Sequence, residues 1–283
     1  MTIDRLAVVG AGFMGSGIAE SAAAAGVAVT VYEPEVAPLE RSRQRLGESV
    51  ARAVEGGKLS AEDAEALIAR ISYTSSLADL EDADAAVEAV FEDPRVKGEI
   101  LKQLDAHLPG AQFIASNTSS IPIAELAAFT SRPERVVGLH FFSPVPVMKL
   151  VEVVVALDSG DGAVTAALAF AQQIAKQPIR TKDRAGFVVN MLLVPYLMAG
   201  VRMYEEGFAS REDIDTGMKL GCGHPMGPLT LCDFIGLDVL QAVCESLHDE
   251  FKRPEYAAPP LLKRMVTSGH LGRKSGRGFY AYG

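Results

Sequence analysis

The fold of the first half of this chain is decided by Leu6-Ala7-Val8-Val9-Gly10-Ala11-Gly12-Phe13-Met14-Gly15. The apolar start predicts a buried strand, and the small residues at 16–25 predict a helix. Between them stands the pattern G-x-G-x-x-G. In it Gly10 permits a tight turn, Gly12 lets the backbone approach a pyrophosphate, and Gly15 lets helix and strand pack closely. This order predicts a dinucleotide cradle in which the helix N-terminus faces the anion.

An acidic residue, Glu33, follows the next predicted strand at residues 27–32. A carboxylate at this place accepts hydrogen bonds from both ribose hydroxyls and repels a 2′-phosphate. The sequence therefore predicts a site for NAD rather than NADP. A glycine turn that binds no nucleotide is the alternative interpretation.

Further apolar runs recur along the first two thirds of the chain, and helical patterns separate most of them. Strands alternating with helices predict a doubly wound α/β sheet, whose ligands bind at the carboxyl ends of the strands. Polar side chains that could bind a substrate follow these runs, although a polar loop is more often only a turn. The predicted strands are 71–73, 85–89, 113–116, 136–139 and 151–155, and the polar residues at their ends include Glu88, Glu92, Ser119 and His140.

The spacing of apolar residues changes at Phe187, after which long stretches have the periodicity of helices. The helix predicted at 187–206 is apolar on most sides and contains Pro195, which predicts a kink. Asn190 in that helix needs a partner, and a structural hydrogen bond is the simplest one. We predict a dinucleotide-binding domain at 1–184 and a helical domain at 185–283, which covers apolar surface against a second copy of the chain.

Composition excludes several classes of partner. The 283 residues carry 27 Lys and Arg against 36 Asp and Glu, and the net charge of −9 argues against nucleic acid or an anionic membrane. The three cysteines show no C-x-x-C pair, so neither a zinc site nor a disulfide framework is predicted. The early first strand leaves no room for a signal peptide, and no apolar stretch is long enough to span a bilayer. We expect a cytoplasmic protein.

A histidine and a carboxylate flank a segment in which Pro144 and Pro146 forbid regular structure. His140 ends one predicted strand, and Glu152 lies in the next. An imidazole exchanges protons near neutral pH, and a nearby carboxylate can hold its tautomer, so the two are a candidate acid/base pair. The alternative is a core histidine bonded to a backbone carbonyl, with a solvated Glu152.

Basic side chains are concentrated in the helix predicted at 38–55 and just beyond it. Such charges usually face solvent, but in an acidic chain they could also bind the phosphates of a long anionic substrate. They are Arg41, Arg43, Arg45, Arg52 and Lys58.

Together these motifs resemble the short-chain L-3-hydroxyacyl-CoA dehydrogenases, including the bacterial 3-hydroxybutyryl-CoA dehydrogenases. The resemblance covers nearly the whole chain, and several unrelated motifs in one order are far more specific than any one of them. It rests on VGAGFMG at 9–15, VEAV at 87–90 with Glu92, SNTSS at 116–120, the stretch 140–152, GFVVN at 186–190, HPMGP at 224–228 and GRKSGRGFY at 272–280.

The resemblance implies a Rossmann-like domain followed by an all-helical C-terminal domain that forms a homodimer. It implies NAD-dependent interconversion of (S)-3-hydroxyacyl-CoA, in particular 3-hydroxybutyryl-CoA, and 3-ketoacyl-CoA, a reaction of fatty acid β-oxidation. His140 would be the acid/base, and Glu152 would orient it. The remaining implied site residues are Ser119 and Asn190 for the substrate, and Gly10, Gly12, Gly15, Glu33, Glu92 and Lys97 for NAD.

The chain departs from the family pattern at two positions. Ser143 stands where the family has Asn in its His-Phe-Phe-Asn-Pro motif, and we expect this shorter side chain on the cofactor side. Met191 stands where an Arg commonly follows the Asn of the helical domain. The residues that bind the CoA phosphates stay unassigned. Alternative functions are a dehydrogenase of carrier-protein-bound or free hydroxy acids, and a non-catalytic NAD-binding protein.

Overall fold

Eight strands form one sheet in the first of two units, which ends at Asp183. The structure is a computed structural model, and it describes residues 2–283. The strand order is β3-β2-β1-β4-β5-β6-β7-β8, and only β6 and β7 pair antiparallel. The strands are β1 (Arg5–Val9), β2 (Ala28–Tyr32), β3 (Ile71–Thr74), β4 (Ala85–Glu88), β5 (Ile114–Ser116), β6 (Val136–Phe141), β7 (Leu150–Val155) and β8 (Gln177–Lys182).

Helices connect the strands of this sheet, and local sequence signals set where several of them begin. Ser60 caps its helix by accepting a hydrogen bond from the backbone N–H of Asp63. Asp93 accepts from the N–H groups of Arg95 and Val96, just before Pro94 opens the helix. The helices are α1 (Phe13–Ala24), α2 (Val36–Glu55), α3 (Ala61–Ala69), α4 (Pro94–His107), α5 (Ile123–Ala127) and α6 (Asp161–Gln173).

The strand order reverses between β1 and β4, because the chain runs outward from β1 to β3 and then returns to the other side of β1. Such a reversal opens a crevice at the carboxyl ends of the strands. The apolar strand residues Val8, Val31 and Val87 are fully buried, which is why these runs read as strands in the sequence. The glycine turn follows β1, so it lies at this reversal.

The second unit, from Arg184 to Gly283, is helical around its own core. A helical run from 228 to 251 is broken at Gly236, which has a φ of +104°. The helix that contains Pro195 continues past it. The helices are α7 (Val189–Glu205), α8 (Arg211–Cys222), α9 (Pro228–Ile235), α10 (Leu237–Phe251) and α11 (Pro260–Thr267). An α/β unit followed by a helical unit confirms the predicted fold class.

Buried carboxylates fasten the second unit. Asp215 accepts from the backbone N–H of Leu229 at 2.8 Å, and Asp233 accepts from the N–H groups of Phe279 and Tyr280 at 2.9 Å. Both aspartates are at least nine-tenths buried, where a bonded carboxylate is strongly favoured over an unbonded one. Within residues 2–283, no helix is long and apolar enough to cross a membrane.

Replacing Gly15 with alanine tests the packing of α1 on β1. A Cβ at Gly15 would press on the carbonyl oxygen of Gly10 and lie 3.5 Å from Val8 Cγ1. We expect Gly15→Ala to destabilise the protein by about 1–3 kcal/mol, as overpacking does. The matched control is Gly47→Ala in α2, where an added Cβ meets no atom within 4 Å and should stabilise the helix by about 1 kcal/mol. Denaturant unfolding followed by circular dichroism measures both, and equal effects would contradict the prediction.

Candidate active site

The glycine turn after β1 has the backbone geometry that its sequence predicts. Gly10 has a φ of +107°, and a Cβ there would lie 2.6 Å from the carbonyl oxygen of Ala89. Its N–H donates to the carbonyl oxygen of Tyr32 at 2.9 Å. Only glycine meets both demands without strain. A Cβ added at Gly12, the N-cap of α1, would find no protein atom within 4 Å, so the turn leaves open space there.

Glu33 lies beside this turn, directly after β2. Its Oε2 accepts a hydrogen bond from the backbone N–H of Ala11 at 3.1 Å, and the side chain is half-buried. A carboxylate fixed next to open space at Gly12 suits the ribose and pyrophosphate of a dinucleotide. The residues present therefore fit NAD.

His140 and Glu152 face each other across the antiparallel pair of β6 and β7. His140 Nδ1 lies 2.6 Å from Glu152 Oε2, and the two residues are 6% and 0% exposed. Strand β6 continues past the predicted end at Leu139 to Phe141, so His140 lies within the strand rather than at its end. Complete burial of Glu152 rules out the alternative in which it is solvated. A carboxylate can only accept hydrogen bonds, so with Glu152 as the acceptor Nδ1 is the donor of this contact.

The polar loop after β5 is held by Glu92 and by β6. Glu92 Oε1 accepts from Thr118 Oγ1 at 2.5 Å and from the backbone N–H of Ser119 at 3.1 Å. Asn117 Oδ1 accepts from the N–H of Phe141 at 3.0 Å, next to His140. The structure thus brings Ser119 and Glu92 together, as expected for one edge of the sheet. Sequence reasoning gave Asn117 and Thr118 no separate role.

The side chain of Lys97 is almost completely buried in the protein. It is 1% exposed, and its Nζ lies 2.8 Å from Glu88 Oε1 and 3.0 Å from Glu92 Oε2. Glu88 is fully buried at the end of β4. Sequence reasoning placed Glu88 at this edge without a function. Its position directly after the apolar residues 85–87 could have indicated that Glu88 is buried.

Ser143 lies exposed on the loop between β6 and β7. Lys176 Nζ holds this loop by donating to the carbonyl oxygens of Val145 at 2.5 Å and Met148 at 3.0 Å. Burial lowers the pKa of the Lys176 ammonium. The backbone around Ser143 is therefore fixed by a side chain far away in sequence.

Asn190 lies half-buried in the first turn of α7, in the second unit. Its expected contact with the substrate stays a prediction. In the same unit, Tyr196 Oη lies 3.1 Å from Nδ1 of His224, the first residue of the HPMGP motif. Burial raises the pKa of the Tyr196 hydroxyl, with a further contribution from Asp215.

Part of the basic cluster is engaged within the protein. The Arg43 guanidinium lies 4.7 Å from the centre of the Tyr73 ring, and Arg45 donates to Ser16 Oγ at 2.8 Å. Ser16 Oγ in turn donates to the carbonyl oxygen of Gly12 at 2.7 Å. Arg45 thus braces the glycine turn, while Arg41 and Lys58 are exposed. The site for the CoA phosphates remains unassigned.

Comparisons with known proteins agree along the whole chain. Residues 5–184 match the family model described as 3-hydroxyacyl-CoA dehydrogenase, NAD binding domain, and residues 186–282 match the C-terminal domain of the same family. The 3-hydroxybutyryl-CoA dehydrogenase of Mycobacterium tuberculosis (strain ATCC 25618 / H37Rv) is 50% identical over 99% of both chains. The probable 3-hydroxybutyryl-CoA dehydrogenase of Bacillus subtilis (strain 168) is 44% identical over 100% of this chain and 98% of its own.

A solved structure supports the same relationship. The crystal structure of (S)-3-hydroxybutyryl-CoA dehydrogenase from Ralstonia eutropha superposes with a TM-score of 0.95 at 44% identity, covering 100% of both chains. Two family models in order, and close relatives over the full length, confirm the resemblance seen in the motifs. The chain therefore belongs to the 3-hydroxyacyl-CoA dehydrogenase family, as an NAD-dependent enzyme.

Proposed function

We propose that this enzyme interconverts (S)-3-hydroxybutyryl-CoA and acetoacetyl-CoA, with His140 as the acid/base and Glu152 as its orienting partner. The observation that carries the proposal is the buried 2.6 Å contact between His140 Nδ1 and Glu152 Oε2. It lies in the same unit as a glycine turn that fits NAD. The names of the two relatives and of the Ralstonia structure support the substrate.

The chemistry divides between cofactor and protein. NAD supplies the hydride acceptor, and the protein must manage the proton. As the C3–H bond of the hydroxyacyl group breaks, the 3-hydroxyl must lose its proton, and His140 receives it. Because Nδ1 is bonded to Glu152, proton exchange with the substrate falls to Nε2. The Glu152 carboxylate stabilises the imidazolium that forms, as in a serine-protease triad. In the reverse direction, the imidazolium returns the proton to the ketone.

The other site residues have supporting roles in this proposal. Ser119 and Asn190 bind the oxygens of the substrate, and Glu92, Lys97 and Ser143 lie on the nicotinamide side. The adenosine half of NAD is bound by Gly10, Gly12, Gly15 and Glu33. Residues 1–184 hold the cofactor, and residues 185–283 form the domain for substrate binding and dimerisation.

Turnover measurements on wild type and on His140→Gln test this proposal. Wild type should oxidise NADH with acetoacetyl-CoA, and His140→Gln should lower kcat by at least about 10²-fold, the contribution of a general acid/base. NADH binding, followed by its fluorescence, should persist, because the glycine turn is intact. His107→Gln is the matched control, since His107 is an exposed residue of α4.

Other outcomes would assign a different function. Turnover of free acetoacetate or of a carrier-protein ester, without turnover of the CoA ester, would show that CoA esters are not the substrate class. Unchanged kcat in His140→Gln would refute the role of His140. NADH binding without turnover of any hydroxyacyl or ketoacyl substrate would favour a non-catalytic NAD-binding protein.

Replacing Glu33 with serine tests its assignment to the adenosine ribose. The carboxylate both accepts ribose hydroxyls and repels a 2′-phosphate, so its loss should narrow the preference for NADH over NADPH. A charge-assisted hydrogen bond is worth about 1.5–3 kcal/mol, which predicts a change of at least about tenfold in the ratio of kcat/KM values. Glu35→Ser is the control, because Glu35 is exposed and makes no side-chain capping bond. The same ratio in both variants would remove Glu33 from the site.

Homodimerisation through the helical unit is part of the proposal. Large apolar side chains of this unit are exposed, and a second copy would cover them. They include Leu192, Phe208, Leu220, Phe234 and Val239. Light scattering should give twice the chain mass of 30.1 kDa. We expect Phe208→Glu to shift the measured mass toward that of one chain, since Phe208 is 78% exposed. A wild-type mass of a single chain would exclude the dimer.

Localisation in the cytoplasm stays a prediction.

A further inference from the structure

Glu88 is the most completely bonded buried carboxylate near the glycine turn, and the proposed mechanism does not use it. It is 0% exposed, and its Oε1 accepts from the N–H of Val90 at 2.6 Å and from Lys97 Nζ at 2.8 Å. Its Oε2 accepts from Ser116 Oγ at 2.6 Å, and Ser116 is also fully buried. Both oxygens are thus committed to neighbouring groups.

The ammonium of Lys97 connects Glu88 to a second carboxylate. Nζ lies 2.8 Å from Glu88 Oε1, 3.0 Å from Glu92 Oε2 and 3.3 Å from the carbonyl oxygen of Val90. An ammonium has three N–H donors, and these acceptors match that number. Lys97 is therefore fixed between the carboxylates, and Glu88 compensates its buried charge.

Two sets of contacts lead from Glu88 to the loop that carries Ser119. On one side, Lys97 holds Glu92, whose Oε1 accepts from Thr118 Oγ1 at 2.5 Å and from Ser119 N–H at 3.1 Å. On the other side, Ser116 Oγ accepts from Thr118 N–H at 3.3 Å. The backbone adds a third link, because the N–H of Asn117 donates to the carbonyl oxygen of Glu88 at 2.8 Å.

This loop also contacts the strand of the acid/base pair. Asn117 Oδ1 accepts from the N–H of Phe141, the residue after His140. A buried ion pair is often no more stable than an apolar replacement of similar volume, so stability alone does not account for charges at this position.

We propose that Glu88 is a positioning residue, which acts through Lys97 and Glu92 to hold Ser119 where the acyl-CoA substrate binds. The inference rests on the proposed function, in which Ser119 contacts the substrate. Glu88 itself need touch neither substrate nor cofactor. Its loss should therefore raise the KM for acetoacetyl-CoA even at saturating NADH.

Variants that remove one or both charges of the Glu88–Lys97 ion pair distinguish a positioning role from a role in stability. Lys97→Met alone leaves Glu88 buried without its cation and should lower Tm by about 10 °C. The double variant Glu88→Gln with Lys97→Met removes both charges, so Tm should return to within a few degrees of wild type. Glu92 remains without its tether, so the KM for acetoacetyl-CoA, measured at saturating NADH, should stay at least about tenfold higher. NADH affinity, measured by fluorescence, should fall as well, because Lys97 lies on the nicotinamide side.

Recovery of KM together with Tm in the double variant would show a purely structural pair and overturn the proposal. A tenfold loss of NADH affinity with an unchanged KM for acetoacetyl-CoA would also overturn it, because the cluster would then serve the cofactor alone. A wild type that does not reduce acetoacetyl-CoA contradicts the proposed function instead, and this is measured first.

Thr118→Val is a second test, which does not depend on the folding of the charge variants. It removes the bond from Thr118 Oγ1 to Glu92 without changing volume or any buried charge, and it also removes the acceptor of the Ser120 and Ile121 N–H groups. We expect the KM for acetoacetyl-CoA to rise at least about threefold, with a smaller loss of Tm than in Lys97→Met. Thr216→Val, at an exposed position of α8, is the matched control. A wild-type KM in Thr118→Val would refute the proposal.

Discussion

The antiparallel pairing of β6 with β7 is the constraint on which the candidate active site depends. Every other pair of neighbouring strands in this sheet is parallel, and only this one places His140 directly opposite Glu152. Residues opposite each other in an antiparallel pair share one face, with side chains close enough to bond. A shift of the pairing by one residue would send imidazole and carboxylate to opposite faces. The geometry of the His140–Glu152 pair is therefore a property of strand register, in which Gly138 lies opposite Val154 and Phe141 opposite Val151.

Buried carboxylates serve two different purposes in this protein. In the helical unit, Asp215 and Asp233 accept from backbone N–H groups and so fasten one chain segment to another. In the α/β unit, Glu88 and Glu152 bond to the ionisable side chains Lys97 and His140. Burial excludes competing water and strengthens both kinds of contact. Lys97 and His140 can carry or exchange a proton, and both lie near the carboxyl edge of the sheet.

The sequence predicts those features that depend on local chemistry. The glycine turn at 10–15 follows from one residue type in one backbone conformation. The register of β6 and β7 could not be predicted, because both strands are nearly continuous apolar runs that do not specify a neighbour or a direction. The burial of Lys97 was missed, since a lysine in a helix usually faces solvent. The helical spacing of the sequence could have indicated this burial, because Lys97 lies on the same buried face of α4 as Leu101 and Leu104.

Contacts within the α/β unit also limit what the serine at position 143 can change. Helix α1 starts at the glycine turn and contacts the loop of Ser143, since a Cβ at Gly17 would lie 2.9 Å from Val145 Cβ. Lys176 holds the same loop from the other side through two carbonyl oxygens. The backbone around Ser143 is thus determined by α1 and Lys176 rather than by its own side chain. Serine in place of the family's asparagine therefore shortens the reach of one hydrogen-bonding group on a loop that α1 and Lys176 contact.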